Sequence, residues 1–152
     1  MTSAEPATLV VVDTNVLLAA TDRSRASNSA ASRLITEDER RLAITPQIVR
    51  EYVAVATRPM EVNGFGLSCE DAVDNVEQFL ADMELLSEDA ATTRILLELI
   101  GQGSTVGKQV HDANVVAVAL AHRAAAIVTD NTRHFARFAE LVTIEILSAA
   151  PA

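Results

Sequence analysis

Leu9-Val-Val-Val-Asp-Thr-Asn-Val-Leu17, close to the start of the chain, is the segment that decides the fold. Its first four residues form a short β-branched run, which is typical of a buried strand. The run ends abruptly at Asp13-Thr14-Asn15, the pattern of a turn into a helix. The strand therefore delivers Asp13 to its carboxyl end, which is where open α/β sheets bind their ligands.

The rest of the chain alternates between strand-like and helix-like segments. Further strands are predicted at Leu42–Ile44, Glu84–Leu86, Ala126–Thr129 and Val142–Leu147. Helices are predicted after the Asp13 turn, over Ala26–Asp38, from Thr45-Pro46 to Thr57, from Ser68 to Ala81, from a Ser87 cap to Ile100, over Ala113–Ala124, and between the last two strands. This alternation predicts an α/β fold with a mainly parallel sheet of four to five strands, covered by helices on both faces.

The length of 152 residues and the hydrophobic content of 49% suit one self-folding domain over residues 1–152. Short disordered tails are expected at about residues 1–6 and 149–152. Cys69 is the only cysteine, so an intramolecular disulfide and a cysteine-based zinc site are both excluded. The start of the chain lacks the basic and apolar regions of a signal peptide, and no apolar run reaches membrane-spanning length. We therefore expect a cytoplasmic protein without membrane contact.

The chain is acidic. It carries 12 lysines and arginines against 21 acidic residues, a formal net charge of −9, and Lys108 is its only lysine. A passive nucleic-acid-binding module would carry a basic patch, so this class is disfavoured. An enzyme whose carboxylates hold cations remains possible, because bound metal ions reverse the field that a phosphodiester meets.

Four acidic residues stand where they could share a cleft. Asp13 and Asp130 follow predicted strands, Glu51 lies four residues after Gln47 on one helix face, and Asp112 opens an almost uniformly apolar helix. Each also has a structural explanation: Asp13 can cap a helix, Glu51 can be a solvated helix residue, and Asp112 can favour the helix dipole. Several carboxylates in one cleft repel one another unless a divalent cation neutralises them, and oxygen ligands select Mg²⁺ or Mn²⁺.

Four motifs in this order resemble those of PIN-domain nucleases, and most of all the VapC toxins of bacterial toxin–antitoxin pairs. The motifs are Val10–Leu17, Thr45-Pro46-Gln47 with Glu51, Gly107–Ala113 and Ile127–Phe135, so the resemblance covers the chain from about Leu9 to Leu147. It implies a PIN-like α/β/α sandwich and an endoribonuclease that acts on RNA, whether tRNA, rRNA or mRNA. It also implies a cognate antitoxin as partner and a homodimer.

The resemblance also implies how the site residues are used. Asp13, Glu51 and Asp112 would hold Mg²⁺ or Mn²⁺, with a fourth group from the last motif. Family spacing favours Asn131 for that place, while charge favours Asp130, and we expect Asp130 to act on the metal, directly or through water. Thr14, Asn15, Thr129 and Asn131 would orient these ligands and the turn. Arg50, Arg58 and Arg133 would contact RNA phosphates, and His111 and His134 are expected to be structural or RNA-facing.

Other functions fit the sequence less well. A receiver domain would need its lysine after a late strand, whereas Lys108 lies in a loop before a helix. A haloacid-dehalogenase-like phosphatase would need an acid at Asn15. The loop Gly101–Gly107 matches no nucleotide-binding motif. A metal-free PIN-like interaction scaffold is the remaining non-enzymatic alternative.

Overall fold

The computed structural model describes residues 7–147, so the tails predicted at 1–6 and 149–152 lie outside the described residues. The strands are β1 (Leu9–Val12), β2 (Arg41–Ile44), β3 (Glu84–Leu85), β4 (Ala126–Thr129) and β5 (Thr143–Ile146). The α-helices are α1 (Thr14–Thr21), α2 (Asn28–Glu37), α3 (Pro46–Thr57), α4 (Cys69–Asp82), α5 (Ala90–Gly101) and α6 (Gln109–Ala121).

The sheet has the strand order β3-β2-β1-β4-β5, and every neighbouring pair is parallel. β1 lies in the centre, where Val11 is level with Ala43 on one side and Ile127 on the other. All residues of β1 and β4 are buried, as expected for parallel strands covered on both faces. The predicted α/β class with a mainly parallel sheet of four to five strands is confirmed.

The strand order changes direction between β1 and β4. The chain moves from β1 to β2 and β3 on one side, and then crosses back to place β4 on the other side of β1. Such a reversal opens a crevice beyond the carboxyl ends of the two strands, because their connections leave in opposite directions. Asp13 and Asp130 directly follow these two strands.

Helix α3 starts as its sequence predicts. The hydroxyl of Thr45 accepts a hydrogen bond from the Ile48 amide at 3.2 Å, and Pro46 occupies the first helical position. Tyr52 has no exposed surface, and its hydroxyl lies 2.8 Å from the Thr21 hydroxyl and accepts from the Asn75 amide at 3.0 Å. These contacts fix α3 against α1 and α4, and therefore fix the direction in which the neighbouring Glu51 points.

The main differences from the sequence prediction lie in α5, in α6 and in the segment between β4 and β5. Asp89, and not Ser87, caps α5, because Asp89 and Thr92 each bond the other's backbone amide in a reciprocal capping box. Helix α6 begins at Gln109, so that Asp112 lies within its first turn, and it ends before Arg123, whose φ is +58°. The predicted helix between the last strands is replaced by two short 3₁₀ turns, Thr132–His134 and Ala136–Phe138.

No helix within residues 7–147 combines the length and the apolar character needed to span a bilayer.

The loop after α3 allows a stability prediction. A Cβ atom at Gly64 would lie 1.9 Å from the Arg58 carbonyl oxygen, which belongs to the backbone and cannot rotate away. We expect Gly64→Ala to lower the free energy of unfolding by about 1–3 kcal/mol, measured by urea denaturation. Gly101→Ala is the matched control: it meets no atom within 4 Å and should be neutral or stabilising by up to about 1 kcal/mol. Equal stabilities of the two variants would contradict the steric argument.

Candidate active site

Asp13 is fixed at the crevice by the neighbouring strand β4 and by the first residue of α1. Its backbone amide continues the ladder by donating to the Val128 carbonyl at 2.9 Å. Its Oδ1 accepts from the Thr14 amide and its Oδ2 accepts from the Thr129 hydroxyl, both at 2.9 Å. Asp13 therefore caps α1, as the structural explanation proposed, and also presents a carboxylate at the sheet edge that is only 7% exposed.

Both carboxylate oxygens of Glu51 accept hydrogen bonds, and the residue is partly buried. Thr14 Oγ1 donates to Oε2 at 2.8 Å, and Gln47 Nε2 donates to Oε1 at 2.7 Å. The first bond joins the head of α1 to the middle of α3, so one residue, Thr14, contacts two acids through different atoms. This geometry differs from that of a solvated glutamate on an outer helix face.

The charge state of Asp13 reflects its surroundings. Its pKa is raised from 3.8 to about 6, and burial is the largest cause, acting against the lowering effect of the hydrogen bonds from Thr129 and Thr14. The negative charges of Glu51 and Asp112 contribute to the rise. The three acids, which come from β1, α3 and α6, therefore lie close enough to repel one another.

Asp112 lies in the first turn of α6 and is half-buried. Burial is the largest cause of its raised pKa, and the charge of Glu51 acts in the same direction. His134, Arg137 and His111 oppose this rise, so one arginine and two histidines lie near the acid. Arg137 was not predicted from the sequence, although its spacing of three residues after His134 is readable there.

Asp130 forms its hydrogen bonds with residues outside this group of acids. Its backbone amide donates to Asn15 Oδ1 at 2.9 Å, and its Oδ2 accepts from the Ser27 hydroxyl at 3.2 Å. Ser27 lies directly before α2. The Asp130 carboxylate is thus directed at the connection between α1 and α2, and no sequence pattern predicted Ser27 as its partner.

Asn131 organises the turn that follows β4. Its backbone amide donates to Thr129 Oγ1 at 3.1 Å, and its side-chain oxygen accepts from the Arg133 backbone amide at 3.1 Å. Its Nδ2 lies 3.3 Å from His134 Nε2. Within residues 7–147, neither Asn131 nor Asp130 hydrogen-bonds through its side chain to the three acids.

Thr129 and Asn15 connect the two strand ends. Thr129 has no exposed surface, and besides donating to Asp13 it accepts from Asn15 Nδ2 at 3.2 Å. Asn15 in turn accepts from the Asp130 amide. The polar residues predicted to orient the site therefore do contact one another and the first acid.

The arginines named from the sequence are all exposed. Arg50, Arg58 and Arg133 form no ion pair with any residue in the described range. Arg137 is better held: its guanidinium donates to the Gln109 carbonyl at 3.5 Å and lies 4.9 Å from the centre of the Phe138 ring. Its contact with the first residue of α6 places it one turn from Asp112.

The donor set fits a hard divalent cation by its chemistry. All donors are carboxylate oxygen atoms, and although burial is the largest cause of the raised pKa of Asp13 and Asp112, the charge of Glu51 also raises both. Between residues 7 and 147, no three histidine, cysteine or acidic side chains already enclose one ion position. Each oxygen of Asp13 and Glu51 accepts one hydrogen bond and keeps a second lone pair that could bind an ion.

Several solved structures of toxin–antitoxin proteins have a fold similar to that of this chain. VapBC2 from Rickettsia felis, bound to a promoter DNA fragment, is 20% identical, with a TM-score of 0.66 over 91% of this chain and 98% of that chain. VapC20 from Mycobacterium tuberculosis, a sarcin-ricin loop cleaving toxin, is 15% identical, with a TM-score of 0.67 over 84% and 94%. VapBC-1 from nontypeable Haemophilus influenzae is 18% identical, with a TM-score of 0.66 over 92% and 98%.

At these sequence identities the solved structures show only that the fold is shared. No curated protein sequence matches the chain at a significant level. The family model of the PIN domain matches residues 10–141, which include Asp13, Glu51, Asp112 and the residues that hold them. The chain therefore belongs to the PIN-domain family of nucleases.

Proposed function

We propose that this protein is a Mg²⁺- or Mn²⁺-dependent endoribonuclease and the toxin of a toxin–antitoxin pair. The observation that carries the proposal is that Glu51 and Asp112 both repel the buried Asp13 carboxylate at the reversal of strand order, in addition to the burial that is the largest cause of its pKa of about 6. A divalent cation would relieve this repulsion. The structures of VapBC complexes and of a sarcin-ricin loop cleaving toxin share the fold, and they support RNA as the substrate class.

Asp13, Glu51 and Asp112 are the residues that would hold the ion. When bound, Mg²⁺ or Mn²⁺ supplies an activated water and charge neutralisation for in-line attack on a phosphodiester. The chain supplies the positions: Thr129 and Thr14 hold Asp13, and Thr14 and Gln47 hold Glu51.

The fourth ligand remains a proposal with two candidates. Asp130 brings a charge, but its carboxylate is bonded to Ser27, and Asn131 has its side-chain oxygen on the Arg133 amide. We retain Asp130 as the stronger ligand, acting on the ion directly or through water. Asn131 then orients the turn.

The basic side chains near Asp112 add to the residues proposed to contact RNA phosphates. Arg50, Arg58 and Arg133 remain proposed contacts. His134 and Arg137 are placed better, because both act electrostatically on Asp112 and a phosphodiester must approach that acid to react.

The remaining assignments rest on the family resemblance and on charge. A cognate antitoxin would place a basic side chain in the acidic crevice, where charge complementarity is greatest in a chain of net charge −9. A homodimer and a cytoplasmic location complete the proposal.

Cleavage of single-stranded RNA should require Mg²⁺ or Mn²⁺ and stop with excess EDTA, because the carboxylates have no other means of activating water. The products should carry a 5′-phosphate and a 3′-hydroxyl, which end-group analysis can identify. Undiminished cleavage in EDTA, or a 2′,3′-cyclic phosphate, would refute the mechanism. Failure of the purified protein to bind Mn²⁺ at all would favour the metal-free scaffold.

The variants Asp13→Asn, Glu51→Gln and Asp112→Asn should each lower the cleavage rate at least ~100-fold, because each removes a proposed metal ligand. Their metal-free thermal stability at neutral pH should equal or exceed that of the wild type, since each also removes one repelling charge. Glu98→Gln, on the exposed side of α5, and Asp74→Asn, on the exposed side of α4, are the matched controls.

Full activity of Glu51→Gln would show that Glu51 has a purely structural role.

The variants Asp130→Asn and Asn131→Ala, assayed at limiting Mg²⁺, separate the two candidates for the fourth position. A raised Mg²⁺ requirement in Asn131→Ala alone would favour the family spacing over the charge argument.

The raised pKa of Asp13 predicts how stability depends on pH in the metal-free protein. Because its folded pKa of about 6 exceeds the ordinary 3.8, the folded state holds more protons between these values, and stability falls as pH rises through this window. The loss amounts to roughly 2–3 kcal/mol. In Asp13→Asn this loss is absent, so its stability relative to wild type should improve between about pH 4 and pH 7 in EDTA, measured by urea denaturation. A constant difference across this range would contradict the raised pKa.

A further inference from the structure

Gln47 uses its whole side-chain amide to connect two parts of the site. Its Nε2 donates to Glu51 Oε1 at 2.7 Å and to the His111 carbonyl at 3.0 Å. His111 directly precedes Asp112 in α6. One NH₂ group therefore links the acid of α3 to the helical turn that carries the acid of α6.

This link joins helices that pack against different partners. Helix α3 packs mainly on α1 and α4, whereas α6 packs mainly on α5. The spacing between Glu51 and Asp112 is thus not determined by direct packing of their own helices. Gln47 is only 5% exposed, and its backbone amide is anchored by Glu88 Oε1 at 3.1 Å, so it is a well-held connection.

Asn114 determines which way the Gln47 amide faces. Its Nδ2 donates to Gln47 Oε1 at 2.7 Å, which reserves Nε2 for Glu51 and His111. With the amide reversed, an oxygen would face the Glu51 carboxylate and the His111 carbonyl, and both contacts would become repulsive. Asn114 is the single polar residue between Ala113 and the end of α6 at Ala121, which agrees with a specific role there.

We propose that Gln47, oriented by Asn114, is a positioning residue that sets the distance between Glu51 and Asp112 and thereby the affinity of the site for its divalent cation. The inference rests on the proposed function, because it takes these acids as metal ligands. Groups that hold metal-binding side chains in place commonly change metal affinity about 10–100-fold when they are removed.

The test is Mn²⁺ binding to the whole chain, followed by electron paramagnetic resonance of the free ion. Gln47→Leu should raise the Mn²⁺ Kd about 10–100-fold, and Asn114→Ala should raise it by a smaller factor, because the amide keeps its donors but loses the hydrogen bond that holds its oxygen. The double variant should bind no more weakly than Gln47→Leu alone, since Asn114 acts through Gln47. Gln78→Leu, an exposed exchange of the same kind on α4, is the control and should bind as the wild type does.

The outcomes separate this inference from the proposed function. If the wild type binds no Mn²⁺, the proposed function fails. If the wild type binds and a folded Gln47→Leu binds equally well, the positioning role is wrong. Should Gln47→Leu not fold, Asn114→Ala decides alone: unchanged Mn²⁺ affinity refutes the role of the amide orientation, and weakened affinity without a drop in the metal-free Tm supports it.

Discussion

The hydrogen bond from Thr129 Oγ1 to Asp13 Oδ2 joins the ends of two parallel strands, and the arrangement of the site depends on it. β1 and β4 are buried along their whole length, so a charged side chain finds no suitable place before the strands end. Asp13 occupies the first position after β1, and its amide still belongs to the sheet. Because Thr129 also accepts from Asn15 and from the Asn131 amide, a single hydroxyl orients an acid and both adjoining turns.

Asp13, Glu51 and Asp112 repel one another, and the groups around them offset this repulsion only in part. Burial and neighbouring acids raise the pKa of Asp13, while Thr14 and Thr129 stabilise its charged form. Arg137 does the same for Asp112. A fully compensated set of ion pairs would leave no demand for a cation, and uncompensated acids without donors would be protonated or rotate apart. The observed balance agrees with the metal-dependent cleavage proposed above.

Prediction from sequence succeeded where local signals had one solution. The β-branched runs at Leu9–Val12 and Ala126–Thr129 became buried strands, and Thr45-Pro46 opened α3. It failed where neighbouring residues offered competing solutions. Ser87 and Asp89 can both cap a helix, and Asp89 prevails because Thr92 reciprocates its hydrogen bond. The segment after β4 forms 3₁₀ turns with Phe135 and Phe138 buried in the core, a choice that depends on the space left by the sheet.

The sequence by itself determined the class of fold, the placement of acids after strands and the family motifs, because these follow from periodicity, capping and spacing along the chain. Only the tertiary structure decided which polar groups meet. Asp130 bonds to Ser27, Glu51 accepts from Thr14, and Asn114 bonds to the amide that joins α3 to α6. These partners lie between 37 and 103 residues apart in the chain. Their pairing depends on how the helices pack around the sheet, and no local pattern of residues encodes that packing.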